Sequence, residues 1–250
     1  VRIHQKIEDE RFLYWCDVLG LLVWSEMPAA YQFTDRAVYD FTIQWMDAVR
    51  QNYNHPSIIV WTPFNESWGI GEVKTNRTQQ HFTEAVYHLT KSFDKNRPVI
   101  TNDGWEHTIS DILTLHDYEE SGQKFYKRYT DHREDILDGH YSPAGSRMAF
   151  ADGFSRRGLP VVISEFGGIA FDGSSGWGYG HKVNNLKEFL TRFSKITAAI
   201  QNIPYVCGYC YTQLNDVQQE VNGLLDENHH PKIDCSKIRA VNLGKKDDRG

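Results

Sequence analysis

The chain has 250 residues, enough for one α/β barrel or two smaller domains, and its 40% hydrophobic content suffices for a full core. A formal net charge of −6 argues against the basic surface that nucleic-acid binding requires. No apolar run approaches the roughly 18 residues of a membrane span. We therefore expect neither a nucleic-acid partner nor a membrane partner.

Short apolar stretches alternate along the chain with longer amphipathic ones. Strands are predicted at residues 1–4, 21–24, 57–61, 98–101, 112–115, 161–164 and 205–211, and helices at 9–19, 34–52, 75–93 and 184–201. Gly20 is expected to end the first helix and Thr34 to cap the start of the second. Segment 119–157 is less regular and is expected to hold a short helix and a long loop. This alternation is typical of a parallel sheet with right-handed crossovers. It predicts a (β/α)8 TIM barrel that forms one catalytic domain over residues 1–250, with seven of its strands visible.

The four cysteines are Cys16, Cys207, Cys210 and Cys235. The stretch "CGYC" has the spacing of a redox motif, but it lies in a strand-like run, whereas redox pairs use the start of a helix. Residues three apart on a strand point to opposite faces. A redox or zinc role remains the minor alternative, and we mainly expect buried, reduced thiols.

Two apolar strands run directly into a glutamate. The stretch "IIVWTPFNES" leads to Asn65 and Glu66, and "VVISEFGG" leads to Glu165. The carboxyl ends of barrel strands share one mouth, where catalytic residues lie. Two carboxylates at such a mouth suit glycoside hydrolysis, in which they stand about 5–5.5 Å apart when the enzyme retains configuration. The alternative is that each glutamate forms a structural ion pair at the barrel rim.

The motifs "NHPSIIVWTPFNES", "HDY" and "VVISEFGG", in this order, resemble the catalytic barrel of glycoside hydrolase family 2, the β-galactosidase, β-glucuronidase and β-mannosidase group. The resemblance extends to the tail "NGLLDENHHPK". It implies that Glu66 is the acid/base on the fourth barrel strand and that Glu165 is the nucleophile on the seventh. Because these are the third and sixth strands visible here, we expect the barrel to be truncated before its first strand, without the family's preceding β-sandwich domains.

The same resemblance implies roles for other residues at strand ends. Asn65 would bond the sugar 2-hydroxyl, Tyr118 would bond the nucleophile, and Tyr211 takes a place where many members have Trp. Arg2 matches an arginine of the second barrel strand, and His4 stands one position before the family's histidine. Further polar residues are expected around the mouth as substrate contacts or as their supports: Trp105, His107, His116, Asp117, Glu26 and Asp103.

Two departures from the family pattern bear on the chemistry. The stretch "SEMPAAYQF" replaces the metal-binding Glu-x-His of some β-galactosidases, so no metal and no cofactor is expected. The stretch "VNGLLD" replaces the Asn-x-Lys of β-glucuronidases, so glucuronides are expected to be poor substrates.

The expected function is retaining hydrolysis of a terminal β-linked sugar, as in β-galactosidases. An endo-acting β-glycanase of the same clan and a catalytically silent sugar-binding or structural barrel remain the alternatives. The expected partners are a carbohydrate substrate and, at the open strand edge, upstream domains of the same enzyme or a second copy of the chain.

Overall fold

The computed structural model describes residues 1–141, 143, 145–155 and 158–244. The strands are β1 (Arg2–Ile3), β2 (Val23–Glu26), β3 (Ile58–Thr62), β4 (Phe64–Asn65), β5 (Asn102–Asp103), β6 (Leu113–Asp117), β7 (Val161–Gly167) and β8 (Val206–Thr212). The helices are α1 (Glu10–Leu19), α2 (Asp35–Asn52), α3 (Arg77–Phe93), α4 (Gly122–Asp131), α5 (Arg133–Leu137), α6 (Leu186–Gln201) and α7 (Cys235–Asn242). Within these described ranges, no helix combines the length and apolar character needed to cross a bilayer.

The chain forms two compact units, Val1–Leu115 with Glu134–Val162, and His116–Arg133 with Ile163–Gly250. In the first unit, β1, β2 and β3 form a parallel sheet in that order, and β4 pairs with β5 in parallel. A third sheet has the order β6–β7–β8, and β8 lies wholly in the second unit. Parallel pairing in the first unit confirms what the alternation of strands and helices predicted.

Pro63 interrupts the strand that leads to the first glutamate, so β3 ends before it and β4 begins after it. A proline has no N–H to give to a sheet ladder. Alongside this break, Trp61 forms only an isolated bridge with Val99, and regular pairing resumes at Asn102. The strand predicted at 98–101 is therefore displaced toward the carboxyl side.

Side-chain caps determine where the helices begin. Asp9 and Thr34 accept backbone hydrogen bonds ahead of α1 and α2, and Gly20 ends α1 with φ +72°, as the sequence predicted. The helices α3 and α6 begin slightly later than predicted because Asn76 and Asn185 serve as their caps. Asparagine suits this position because its side-chain oxygen accepts N–H groups that the first turn leaves unpaired.

The irregular segment 119–157 holds two short helices, α4 and α5, where one was predicted. Residues 142, 144, 156 and 157 of the predicted loop lie outside the described residues. The first residue of α4, Gly122, lies against the backbone of α6. A Cβ at this position would run into the carbonyl group of Lys195. Glycine therefore sets how closely α4 approaches α6.

Each unit has its own apolar core. The first is built around Trp45 and Trp61, and the second around Phe189 and Phe193. Cys16 is buried in the first core, but Cys207 and Cys235 are exposed, and none of the four thiols forms a disulfide. The expectation of buried thiols is wrong for Cys207 and Cys235; residues of β8 such as Cys207 are at most partly covered.

Arg97 fastens the loop that precedes β3. Its Nε donates to the carbonyl of Ile58 at 2.6 Å, Nη1 to that of Tyr53 at 2.8 Å, and Nη2 to that of His55 at 2.8 Å. Nη1 also bonds the carboxylate of Asp94 at 2.5 Å. One guanidinium thus satisfies three backbone carbonyls and fixes the residue at which β3 begins.

Asp94 is the partner that holds this arginine in place. Burial disfavours its charged form, but hydrogen bonds from Trp61 and Arg97 lower its pKa to about 2. The indole Nε1 of Trp61 donates to Asp94 at 2.9 Å. The carboxylate is therefore ionised at neutral pH and links α3, the loop before β3 and β3 itself.

Candidate active site

Glu66 lies in the turn after β4, in a backbone conformation that non-glycine residues seldom adopt. Glu66 and Ser67 have φ values of +51° and +59°. The surroundings hold this turn: Glu66 N donates to Asp103 O at 2.9 Å, and Ser67 N donates to the side chain of Asn102 at 2.9 Å. The Ser67 hydroxyl donates to Glu106 at 2.6 Å. Backbone strain of this kind concentrates at functional sites when the structure over-determines it.

A buried arginine lies beside this turn in the first unit. Arg2 contacts Glu26 through Nε and Asp103 through Nη2, each at 2.8 Å. Its Nη2 also donates to Oδ1 of Asn65 at 2.8 Å. The Arg2 side chain is 6% exposed and both carboxylates are 0% exposed. The Asn65 side-chain oxygen is therefore engaged by Arg2, and a contact of Asn65 with substrate stays a prediction.

His4 and Gln5 converge on the same carboxylate. The His4 Nδ1 lies 3.0 Å from Glu26 Oε1, and the Gln5 backbone N–H donates to that oxygen at 3.0 Å. The His4 side chain is 53% exposed, so one edge of the ring faces solvent. The structure therefore gathers Arg2 and His4 around Glu26.

Trp105 and His107 differ in their surroundings. His107 is fully buried, with Nε2 2.8 Å from the carbonyl of Thr114. Trp105 is partly exposed, and the guanidinium of Arg147 lies 5.7 Å from its ring centroid. For both residues a contact with substrate stays a prediction, and the observed contacts of His107 include the backbone and the hydroxyl of Thr114.

In the second unit, Glu165 is held near the end of β7 by Tyr118. The Tyr118 hydroxyl donates to Glu165 Oε2 and lies 3.2 Å from the hydroxyl of Thr212. His116 is buried, with Nδ1 3.5 Å from Glu165 Oε2. Burial, followed by the charge of Glu165, raises the pKa of Tyr118 well above its ordinary value. The phenol therefore stays protonated and remains a donor to the carboxylate.

An ion pair fixes the residues on either side of Tyr118. Arg128, from α4, donates through Nη1 to both oxygens of Asp117 at 2.8 and 2.7 Å and through Nη2 to Glu119 at 3.0 Å. Burial raises the pKa of Asp117, and the Arg128 guanidinium opposes that shift. Asp117 is engaged by Arg128, and its contact with substrate stays a prediction.

Tyr211 belongs to the packing of the second unit. Its hydroxyl accepts a hydrogen bond from the backbone N–H of Ile169 at 3.1 Å. Its ring lies edge-on to Phe166 and Phe193, at 5.5 and 5.3 Å. Burial raises its pKa. A sugar contact from Tyr211 stays a prediction, while the next residue, Thr212, reaches Tyr118.

Sequence reasoning missed three residues that contact the expected site. They are Thr212, Arg128 and Tyr179, whose ring stacks on Tyr118 with centroids 3.4 Å apart. One signal was available for Tyr179, since "GWGYG" places aromatic residues between glycines shortly after Glu165.

Residues 4–242 match the family model described as "Glycosyl hydrolases family 2, TIM barrel domain". The chain belongs to glycosyl hydrolase family 2.

Two proteins named β-glucuronidase are similar to this chain in sequence. Human β-glucuronidase is 26% identical over 177 residues, which cover 63% of this chain and 24% of that protein. A β-glucuronidase from Bacteroides fragilis is 30% identical over 115 residues, covering 41% of this chain and 16% of that protein. The chain thus spans about a quarter or less of the length of these curated relatives.

Solved structures of family 2 enzymes share the fold. A β-galacturonidase from Eisenbergiella tayi, bound to galacturonate, superposes with a TM-score of 0.74 at 18% identity, covering 98% of this chain and 45% of that one. A β-glucuronidase from Bacteroides uniformis gives a TM-score of 0.69 at 19% identity, covering 99% of this chain and 31% of that one. These likenesses support a TIM-barrel domain for this family 2 chain.

Proposed function

We propose that this chain carries the catalytic residues of a retaining β-glycoside hydrolase, with Glu165 as nucleophile and Glu66 as acid/base. The observation that carries the proposal is the buried Glu165 carboxylate, which accepts a hydrogen bond from Tyr118 near the end of β7. That bond fixes the orientation of the carboxylate. An ionised, oriented carboxylate is what attack on an anomeric carbon requires.

The proposed reaction proceeds in two displacements. Glu165 forms a bond to the anomeric carbon while the glycosidic C–O bond breaks, and the leaving oxygen takes the proton of Glu66. In the second step Glu66 takes a proton from water, and the water oxygen displaces Glu165 from the anomeric carbon. The free sugar keeps its β configuration, and both glutamates return to their starting protonation states.

In this proposal Asn65 binds the sugar beside the acid/base. Its side-chain oxygen accepts a hydrogen bond from Arg2, which turns its amide nitrogen toward other acceptors. A bond from that nitrogen to a sugar 2-hydroxyl would strengthen as charge develops at the anomeric carbon. The strained turn at Glu66 would set the angle at which its proton reaches the leaving oxygen.

We further propose that the sugar is uncharged. In "VNGLLD" the place of the β-glucuronidase lysine is held by Leu224, which packs against the second core. Lys232, the next lysine or arginine along the chain, is paired with Asp216 at 2.7 Å. A β-glucuronide is the second candidate because the similar curated proteins are named β-glucuronidases.

A panel of nitrophenyl β-glycosides on the intact enzyme tests both parts of the proposal. We expect turnover of a neutral β-glycoside, a β-configured first product by NMR, and slower turnover of the glucuronide. A preferred glucuronide would refute the uncharged-sugar proposal. Attack within long oligosaccharides would favour an endo-acting glycanase, and no turnover of any substrate would favour a silent barrel.

Isosteric variants test the role of the nucleophile. Glu165→Gln should lower kcat by roughly 10⁴-fold or more, as for other covalent nucleophiles. The exposed Glu227 offers a matched control, and Glu227→Gln should retain full turnover. Near-normal activity of Glu165→Gln would overturn the mechanism.

A further inference from the structure

Tyr118 stacks face to face on a second tyrosine. The rings of Tyr118 and Tyr179 lie 3.4 Å apart between centroids, with 7° between their planes. We infer that Tyr179 is a positioning residue, whose ring holds the Tyr118 ring so that its hydroxyl reaches the Glu165 carboxylate. This inference rests on the proposed function, because it assigns Tyr179 a part in orienting the proposed nucleophile.

The close stack is imposed by the loop that carries Tyr179. Aromatic pairs prefer offset or edge-on arrangements with centroids about 4.5–7 Å apart. The centroid distance of this pair is shorter than that range, so the surrounding backbone holds the two rings together. The backbone N–H of Tyr179 donates to Gly168 O at 2.8 Å. A Cβ on Gly168 would run into the Tyr179 ring, and one on Gly178 would lie 2.6 Å from Gly168 O. Two glycines thus make room for the stack.

The same loop is anchored on both sides of Tyr179. Trp177 N donates to Gln219 O at 2.7 Å, and Val221 N donates to Trp177 O at 3.0 Å. Beyond it, Arg192 Nη2 donates to Tyr179 O at 2.8 Å. The Trp177 ring also lies edge-on to Tyr179, with centroids 5.5 Å apart. These contacts hold the Tyr179 ring in place, and the Tyr118 ring stacks on it.

A fixed flat surface matters because of how Tyr118 can move. Rotation about its χ1 torsion would carry the hydroxyl away from the side-chain oxygens of Glu165 and Thr212, which it now faces. The Tyr179 ring, stacked on one face of Tyr118, restricts this motion. A leucine at position 179 would have no flat face to stack on Tyr118. The face of Tyr179 carries this role, and its hydroxyl group is dispensable for it.

Substitutions that separate the ring from the hydroxyl test the inference. Tyr179→Leu should lower kcat for a nitrophenyl β-glycoside by roughly 10- to 100-fold, the scale of a misplaced catalytic group, with KM little changed. Tyr179→Phe should retain nearly the wild-type kcat. As a control, Tyr126→Leu removes an exposed tyrosine from α4 and should leave both constants unchanged.

A double-mutant cycle shows whether Tyr179 acts through Tyr118. Tyr179→Leu should cause no further loss when Tyr118→Phe has already removed the hydroxyl. Gly168→Ala, which pushes against the Tyr179 ring, should give the same pattern and serves if the leucine variant does not fold. Additive losses, a Tyr179→Phe variant as slow as Tyr179→Leu, or wild-type kcat in Tyr179→Leu would each overturn the inference.

The proposed function is tested separately by Glu165→Gln. If Glu165→Gln abolishes turnover while Tyr179→Leu and Gly168→Ala retain the wild-type kcat, only the positioning role fails. If Glu165→Gln retains turnover, the proposed nucleophile fails, and the positioning role fails with it.

Discussion

Replacing Arg2 with leucine should destabilise the protein by about 3–5 kcal/mol, the range measured when one partner of a buried ion pair is removed. The structure favours this range over the 0–1 kcal/mol of a surface pair, because Glu26 and Asp103 are 0% exposed. Both carboxylates would lose their contacts with the guanidinium, and Asn65 would lose its hydrogen-bond donor. A whole domain has only about 5–15 kcal/mol of stability, so the loss would be large.

Urea unfolding followed by tryptophan fluorescence measures this loss. With an m-value of about 3 kcal/mol/M, the midpoint of Arg2→Leu should fall by roughly 1–1.7 M. The matched control is Arg11→Ala, which breaks the exposed pair between Arg11 and Asp9. Its midpoint should stay within about 0.3 M of the wild type.

The same experiment can refute the reasoning. An Arg2→Leu midpoint equal to that of the Arg11 control would show that the cluster contributes no more than a surface pair. A further variant that combines Arg2→Leu with Glu26→Gln should recover part of the loss, since one uncompensated charge is removed. If the midpoint does not recover, the loss of stability comes from lost packing of the aliphatic part of the Arg2 side chain.

Three further predictions follow from other parts of the molecule. Glu66→Ala, assayed on a substrate with an activated leaving group, should be rescued by azide and yield a β-glycosyl azide; an α product would contradict retention. Asp94 has a folded pKa of about 2 against an ordinary value of 3.8, so it contributes stability above pH 4 that is lost as the pH falls toward 2. This contribution is about 2 kcal/mol, and acid unfolding of Asp94→Asn should show a correspondingly flatter dependence in that window. Gly122→Ala should destabilise the protein by about 1–3 kcal/mol, because its Cβ meets the backbone of Lys195; an unchanged melting temperature would show that α4 can shift.

The features predicted best from the sequence are those that depend on residues close together along the chain. Apolar runs that end in Glu66 and Glu165 placed both glutamates at or near strand ends, where the structure has them. The caps Gly20 and Thr34 were predicted for the same reason, since a cap acts within one turn of helix. The contact between Tyr118 and Glu165 came only from family resemblance, because nothing local links these positions.

The contacts that sequence reasoning missed depend on the paths of loops and helices. Tyr179 reaches Tyr118 beside Gly167 and Gly168, whose left-handed backbone favours glycine, and a Cβ on Gly168 would run into the Tyr179 ring. Arg128 meets Asp117 from a separate helix, which no short motif encodes. Thr212 was missed by one residue, and a single step along a strand changes the face on which a side chain lies.

The guanidinium of Arg97 has a consequence for which insertions and deletions the chain can accept. It ties three carbonyls of residues 53–58 to one side chain, so the loop cannot change length without moving the start of β3. A shift of one residue there would turn the side chains of the strand to the opposite face, and the turn at Glu66 would be displaced with them. In a library of single-codon insertions, residues 53–57 should therefore tolerate insertions as poorly as the turn at Glu66, although they lie at the other end of the strand.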